Sequence, residues 1–234
     1  MLVAGAGGIG TACAAAFIQA RARLLVVDQK AEHLADFAGT AETMTADLTT
    51  TAGCEQAVLA AQEKLGGLDV FVHAVGINSR VPILETSDGD WDRILEVNLS
   101  SAFRLGRAAG RFMVDAGYGR QIYCSSVSSL LAHPDHGPYA ASKGGLNQLV
   151  RVMAREWAAS GVTVNAIAPG YVETALTSAH LDGPGVREHY TDMVPAGRLG
   201  TTEDLTGPVL FLASRQAAFV TGHVLYVDGG RTLV

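Results

Sequence analysis

Short runs of branched and apolar residues recur along the chain at Leu2–Ala4, Leu24–Val27, Val70–His73, Ile122–Cys124, Val162–Ile167 and Val224–Val227. They are apolar at consecutive positions rather than alternate ones, which fits strands covered on both faces, as in a parallel sheet. Between them lie segments of helical length: Ile9–Ala20, Thr51–Leu65, Asp90–Asp115, Tyr139–Ala159 and Glu203–Ala213. Within Ser100–Phe112, the residues Ala102, Leu105, Ala109 and Phe112 share one helical face. A further strand is expected to close at Asp47, in Thr45-Ala46-Asp47-Leu48. The alternation of strand and helix predicts an α/β fold with a doubly wound parallel sheet of about seven strands between two helical layers. No stretch rich in Pro, Gly or Ser divides the sequence, so residues 1–234 read as one domain. The pattern lapses over 175–197, where Gly183, Pro184 and Gly185 break the helical period. An irregular stretch of that length predicts a mobile lid over a substrate.

Composition narrows the function classes. A hydrophobic share of 48% with 17% charged residues is ample for a buried core. The formal net charge of −6 offers no basic footprint for a nucleic acid. Cys13, Cys54 and Cys124 are odd in number, far apart and lack a CxxC spacing, so they are expected to be reduced and buried, with no metal site. No apolar run approaches the roughly 20 residues that a bilayer requires. No basic segment leads into an apolar one at the N-terminus, so a cytoplasmic protein without a membrane partner is expected.

The first strand runs into Gly5-Ala6-Gly7-Gly8-Ile9-Gly10. Gly5, Gly7 and Gly10 fit G-x-G-x-x-G, a turn that lets backbone approach a pyrophosphate seated on a helix N-terminus. The next strand ends in Asp28, 18 residues past Gly10. A carboxylate there accepts hydrogen bonds from adenosine ribose hydroxyls and repels a 2′-phosphate. The glycine turn holds no Arg or Lys to attract that phosphate, so NAD is expected over NADP. The alternative for Asp28 is a solvated turn residue. Asp47 either bonds an adenine amino group or caps the helix that follows.

Tyr139-Ala140-Ala141-Ser142-Lys143, just after Pro138, has Y-x-x-x-K spacing, which places a phenol and an ammonium on one helical face. A free tyrosine has a pKa near 10, too high for efficient proton exchange at neutral pH, and a neighbouring cation lowers it. Such a pair is common on surfaces. Its company is more specific: Ser126 lies 13 residues upstream, past the strand Ile122–Cys124, at the carboxyl edge where open α/β sheets bind ligands. Asn98, in Val97-Asn98-Leu99, interrupts the long helix before it.

These segments, in this order, resemble the short-chain dehydrogenases/reductases, together with Ser125-Ser126, Pro169-Gly170-x-x-x-Thr174 and Asp228-Gly229-Gly230. The resemblance spans nearly the whole chain and implies a catalytic set. Tyr139 would be the general acid or base, Lys143 would lower its pKa and hold the nicotinamide ribose, Ser126 would bond the substrate oxygen, and Asn98 would hold a relay water. It also implies cofactor contacts from Gly5, Gly7, Gly8, Ile9, Gly10, Asp28, Asp47, Leu48, Val75, Gly76, Pro169, Gly170, Val172 and Thr174. The chain departs from the family's pattern at the glycine turn, one residue short with Ala4 in place of Thr, and at His73-Ala74-Val75-Gly76. His73 is expected to be a packed strand-end residue rather than a catalytic one.

The family's substrate wall would fall on Asn78, Arg80, Ser128, His133, His136, Tyr171 and His180. That polar set favours a hydroxylated or anionic molecule. Arg80 either pairs a substrate carboxylate or faces solvent. The segments around Tyr171 and Asp228 resemble sugar-acid and polyol dehydrogenases of the gluconate 5-dehydrogenase type, and also 3-oxoacyl-carrier-protein reductases. The expected reaction is oxidation of a secondary alcohol in a sugar acid or polyol. Reduction of 3-oxoacyl thioesters, or a catalytically silent nucleotide-binding module, are the alternatives. The helices over Ser100–Asp115 and Tyr139–Ala159 carry more small and apolar residues than one sheet face covers, and the resemblance implies a homotetramer or homodimer built on them.

Overall fold

The structure, a computed structural model, describes the backbone of residues 1–234 and the side chains of all but Ala175, Leu176 and Ala179. Seven parallel strands form one sheet: β1 (Leu2–Ala4), β2 (Leu25–Asp28), β3 (Glu42–Thr45), β4 (Val70–His73), β5 (Gly119–Cys124), β6 (Val162–Pro169) and β7 (Val224–Val227). Their order is β3-β2-β1-β4-β5-β6-β7. The direction of winding reverses between β1 and β4, so a crevice opens there at the carboxyl edge.

Successive strand residues point to opposite faces, and two helical layers bury them. Leu2, Ala4, Leu25, Val27, Phe71 and Tyr123 pack on one side with α2 (Thr51–Leu65), α4 (Ser101–Ala116) and α5 (Gly137–Trp157). Val3, Val26, Val72, Ile122 and Ile167 pack on the other with α1 (Gly8–Gln19) and α8 (Glu203–Ala213). This is the three-layer, doubly wound Rossmann arrangement expected from the apolar runs.

Three expected boundaries need correction. The predicted helix Asp90–Asp115 is α3 (Asp88–Leu95) and α4, joined by a π-helical turn at Glu96–Ser100 that contains Asn98. Such turns insert one residue and occur often at functional sites. The 175–197 segment is not irregular. It holds α6 (Ala175–Leu181) and α7 (Val186–Asp192), which flank the expected Gly183-Pro184-Gly185 break. An ion pair of Glu173 with Arg187, and the ring of Tyr190 centred 4.2 Å from that of Tyr171, tie this helical pair to the body of the fold. Finally, β3 ends at Thr45, so Asp47 lies beyond the strand.

Candidate active site

The glycine turn bridges β1 and α1. Gly5 has φ +90°, and a Cβ there would press on the Val75 and Ala74 backbone. A Cβ on Gly10 would collide with the Gly5 carbonyl, so the turn closes only with hydrogen at both positions. Gly7 meets nothing within 4 Å. It caps α1 without a side-chain bond, and no acid occupies the helix's first turn. The leading N–H groups of α1 and the positive end of its dipole are thus free to take an anion, and the residues present fit a dinucleotide pyrophosphate.

Asp28 closes β2 and is nearly buried. One carboxylate oxygen accepts from Ala6 N at 2.7 Å, inside the glycine turn. The other accepts from Lys30 N at 2.9 Å and lies 3.3 Å from His33 Nδ1. Asp28 is therefore a brace for the shortened turn, not a free solvated residue. Asp47 is exposed and bends back to accept from Thr49 N and Thr49 Oγ1, which holds its carboxyl below the usual range. The cap of α2 is Thr50, whose side chain accepts from Gly53 N, so the capping alternative for Asp47 does not hold. Leu48 buries its side chain in the core, leaving its backbone for any ligand.

The catalytic candidates converge from three elements. Ser126 follows β5, and its Oγ accepts from Ser128 N at 3.1 Å. Tyr139 and Lys143 lie in the first two turns of α5, which opens with Gly137-Pro138, a fixed φ suited to a first helical turn. All three line one cleft with Ile9, Val75, Gly76, Pro169, Gly170, Tyr171, Val172 and Thr174. Ser126 stands close enough to the Tyr139 phenol to draw its pKa down. Lys143 is buried, donates from Nζ to the Cys124 carbonyl at 2.7 Å and stands 5.6 Å from the Tyr139 ring centroid.

The electrostatics here differ from the expectation that Lys143 lowers the Tyr139 pKa. Burial pushes the phenol up to about 12, with the Ser126 hydroxyl and the Arg80 charge working in the opposite direction. The same burial pulls Lys143 below its usual range. The ammonium is turned to a backbone carbonyl rather than to the phenol oxygen, so desolvation dominates.

Asn98 is fully buried on the π-helical turn. Its Oδ1 accepts from Ile77 N at 2.8 Å, and its Nδ2 donates to Ile77 O at 2.9 Å and Ser142 Oγ at 3.1 Å. The side chain thus clamps the loop after β4 to α5. A Cβ on Gly76 would stand 3.5 Å from Lys143 Nζ and 3.6 Å from Asn98 Oδ1, so this glycine sits directly beneath the pair. His73 is buried with its Nε2 3.0 Å from Ser101 Oγ, as expected of a packed strand-end residue.

At the other end of the cleft, Thr174 caps α6 in a reciprocal capping box with Thr177, and its side chain meets Gly8. Gly170 is required because a Cβ would stand 2.9 Å from Asp228 Cα, which joins the Pro169-Gly170 and Asp228-Gly229-Gly230 segments into one packed corner. Arg80 is exposed and donates from Nε to His136 Nε2 at 3.3 Å. His133 bonds Ser128 Oγ at 2.9 Å and lies with its ring 5.8 Å from that of Tyr171. His180 meets Tyr190 Oη at 3.1 Å. The sequence reading missed Cys124, Ile77, Ser142 and Arg231. Their contributions are backbone contacts or long-range side-chain contacts that carry no local signal. No group of metal-ligating side chains and no membrane-spanning helix occurs among the described residues.

A family model described as enoyl-(acyl carrier protein) reductase matches residues 3–232. Galactitol 2-dehydrogenase (L-tagatose-forming) of Cereibacter sphaeroides is 38% identical, with 99% of this chain and 94% of the relative covered. The 3-oxoacyl-acyl-carrier-protein reductase of Escherichia coli (strain K12) is 35% identical, with 100% and 97% covered. The crystal structure of a gluconate 5-dehydrogenase from Burkholderia cenocepacia J2315, in complex with NADP and tartrate, superposes with a TM-score of 0.94 at 34% identity, covering 100% of this chain and 94% of that one. Fold, cleft and relatives agree: the chain belongs to the short-chain dehydrogenase/reductase family, oxidoreductases that use a nicotinamide cofactor.

Proposed function

We propose that the protein interconverts a secondary alcohol and its ketone on a small polar molecule such as a sugar acid or a polyol. A nicotinamide dinucleotide in the cleft supplies or accepts the hydride. Tyr139 donates its phenolic proton to the carbonyl oxygen in reduction and removes the hydroxyl proton in oxidation. Ser126 donates a hydrogen bond to the same oxygen and steadies the charge that develops on it. Lys143 holds the cofactor ribose, and Asn98 holds the loop that floors the cleft and the relay of protons to solvent. The single observation that supports this reading most is the convergence of Ser126, Tyr139 and Lys143 on one cleft.

The cofactor would lie with its pyrophosphate on Gly5, Gly7, Gly8, Ile9 and Gly10, its adenosine ribose near Asp28 and its adenine beside Asp47 and the Leu48 backbone. Val75 and Gly76 would floor it. Pro169, Gly170, Val172 and Thr174 would seat the carboxamide. The Asp28 carboxylate favours NAD, since a 2′-phosphate there would meet a like charge. Titration with both dinucleotides tests this, and tighter binding of NADP would overturn it. The exposed Phe103 of α4 and Val152 of α5 support a homotetramer or homodimer built on these helices, and light scattering would measure it. A cytoplasmic location accompanies this reading.

The decisive experiment is a screen of polyols, sugar acids and hydroxy acids with NAD and NADP, run beside Tyr139→Phe. Turnover retained in full by that variant would refute the proton role. The 35% identity to a 3-oxoacyl-acyl-carrier-protein reductase favours thioester reduction as the second reading, and 3-oxoacyl thioesters belong in the same screen.

A further inference from the structure

Buried polar atoms without a partner are rare and call for an explanation. Here the described residues with such atoms include Asn78 (Oδ1), Ser79 (Oγ), His133 (Nε2) and Arg231 (Nε). The first three lie on two loops that meet beside the cleft. The loop after β4 is anchored to Asn98 at Ile77 and donates from Val81 N to the Asp135 carbonyl at 3.0 Å, on the loop between β5 and α5. Arg80 and His136 cross-link the same two loops. His136 Nδ1 lies 2.7 Å from the Pro134 carbonyl, which requires its proton there, so Nε2 presents a lone pair and aims the Arg80 guanidinium.

Arg231 reaches the wall from the far end of the chain. Asp228 accepts from Gly230 N at 3.0 Å and Thr232 N at 2.8 Å, which fixes the turn that carries it. Arg231 donates from Nη1 to the Val234 carbonyl at 2.8 Å and sets Nη2 against Met193 Sδ at 3.9 Å, while its buried Nε has no partner. Its charge bears on Tyr171, which lines the cleft with Ser126 and Tyr139. Arg80 bears on Tyr139, Tyr171 and His180, and Arg231 on Tyr171 and His133, so the two cations face the same wall, with Asp135 on one of its loops and Asp228 at the base of the Arg231 turn.

We propose that Arg231 and Arg80 select a carboxylate-bearing, polyhydroxylated substrate, the carboxylate taking the two guanidinium groups and the hydroxyls taking Asn78, Ser79 and His133. This rests on the oxidoreductase reading above and chooses the acid over the neutral polyol. Arg231 becomes a specificity residue supplied by the segment after β7. A charge-assisted contact of this kind distinguishes an acid from its neutral analogue by about 30- to 100-fold.

The test compares D-gluconate with D-glucitol, and the corresponding four- and five-carbon aldonates with their alditols, as substrates with NAD and NADP. The wild-type enzyme is expected to favour the acid in kcat/KM for at least one matched pair. Arg231→Met and Arg80→Met are each expected to reduce that preference by about 30-fold or more, mainly through KM. Equal use of acid and polyol by the wild-type enzyme, or a preference that survives both substitutions, overturns the proposal while leaving the oxidoreductase reading intact. Turnover of 3-oxoacyl thioesters with no acid oxidised also overturns it. Absence of turnover on every compound with either cofactor removes the oxidoreductase reading as well. If Arg231→Met does not fold, the Arg80→Met ratio decides alone.

Discussion

His73 Nε2 stands 3.0 Å from Ser101 Oγ, and that hydroxyl donates in turn to the Val97 carbonyl at 2.6 Å. Because Ser101 uses its proton on Val97, it accepts from His73, which fixes the imidazole proton on Nε2. The strand β4 is thereby tied to the π-helical turn that holds Asn98. Ser101→Ala leaves a buried N–H without a partner and is expected to cost about 1–3 kcal/mol. Chemical denaturation would measure it, and a loss below a few tenths of a kcal/mol would show that the tie is idle.

The same histidine makes stability depend on acid. Burial lowers its pKa to about 3, from 6.5 when exposed. Between these values the unfolded chain binds a proton that the folded chain refuses, so its share of stability is full above pH 6.5 and is lost as the pH falls toward 3. The slope is about 1.4 kcal/mol per pH unit. Melting curves from pH 7 to 4 should fall less steeply for His73→Asn than for the wild type.

Tyr139, held protonated by burial, is ready as a proton donor at neutral pH. Ketone reduction is expected to proceed there, whereas alcohol oxidation, which needs the phenolate, should climb as the pH rises through the alkaline range. Tyr139→Phe should lower kcat by about 10²–10⁴ in both directions. An oxidation rate that is flat from pH 7 to 10 would exclude the phenol as the base.

The glycine turn predicts opposite outcomes for neighbouring substitutions. Gly7→Ala places its methyl in open space and should leave the melting temperature within a few degrees of wild type. Gly10→Ala drives its methyl into the Gly5 carbonyl and should abolish the turn. Calorimetry on the two variants decides the matter, and equal stability would mean that the turn is not packed as described.

Asp28→Asn keeps an oxygen for Ala6 N or Lys30 N but removes the charge. If the carboxylate sets the cofactor preference, the ratio of NAD to NADP affinity should fall by about tenfold or more, since one charge interaction of about 1.4 kcal/mol is a factor of ten. An unchanged ratio would place the discrimination elsewhere.

Much of this was legible because it is local. The runs in β1, β2, β4, β6 and β7 are apolar on both faces, and the Tyr139–Lys143 spacing follows from helix geometry alone. The edge strand β3 reads Glu-Thr-Met-Thr and is barely buried, so no apolar run marks it. The start of β5 was hidden by Arg120 and Gln121, which are buried yet satisfied. Arg120 donates to the Gly119 carbonyl, and Gln121 donates to the Gly106 carbonyl. Asp28 was placed correctly at its strand end, but its bond to Ala6 joins residues 22 apart and has no periodic signature. Arg231 escaped notice for the same reason: Tyr171, on which its charge acts, follows a different strand.

The π-helical turn has a consequence for how the rod from Asp88 to Ala116 can change. Each residue advances an α-helix by about 100°, so one extra residue at Glu96–Ser100 rotates the buried stripe of α4 by that angle against the one on α3. Ile94 on α3 and Leu105 on α4 are both buried, one on each side of that offset. Deleting one residue from the turn would restore a regular helix and swing either α3 or α4 out of phase with the sheet. The rod therefore tolerates substitutions of side chains far better than any change in its length.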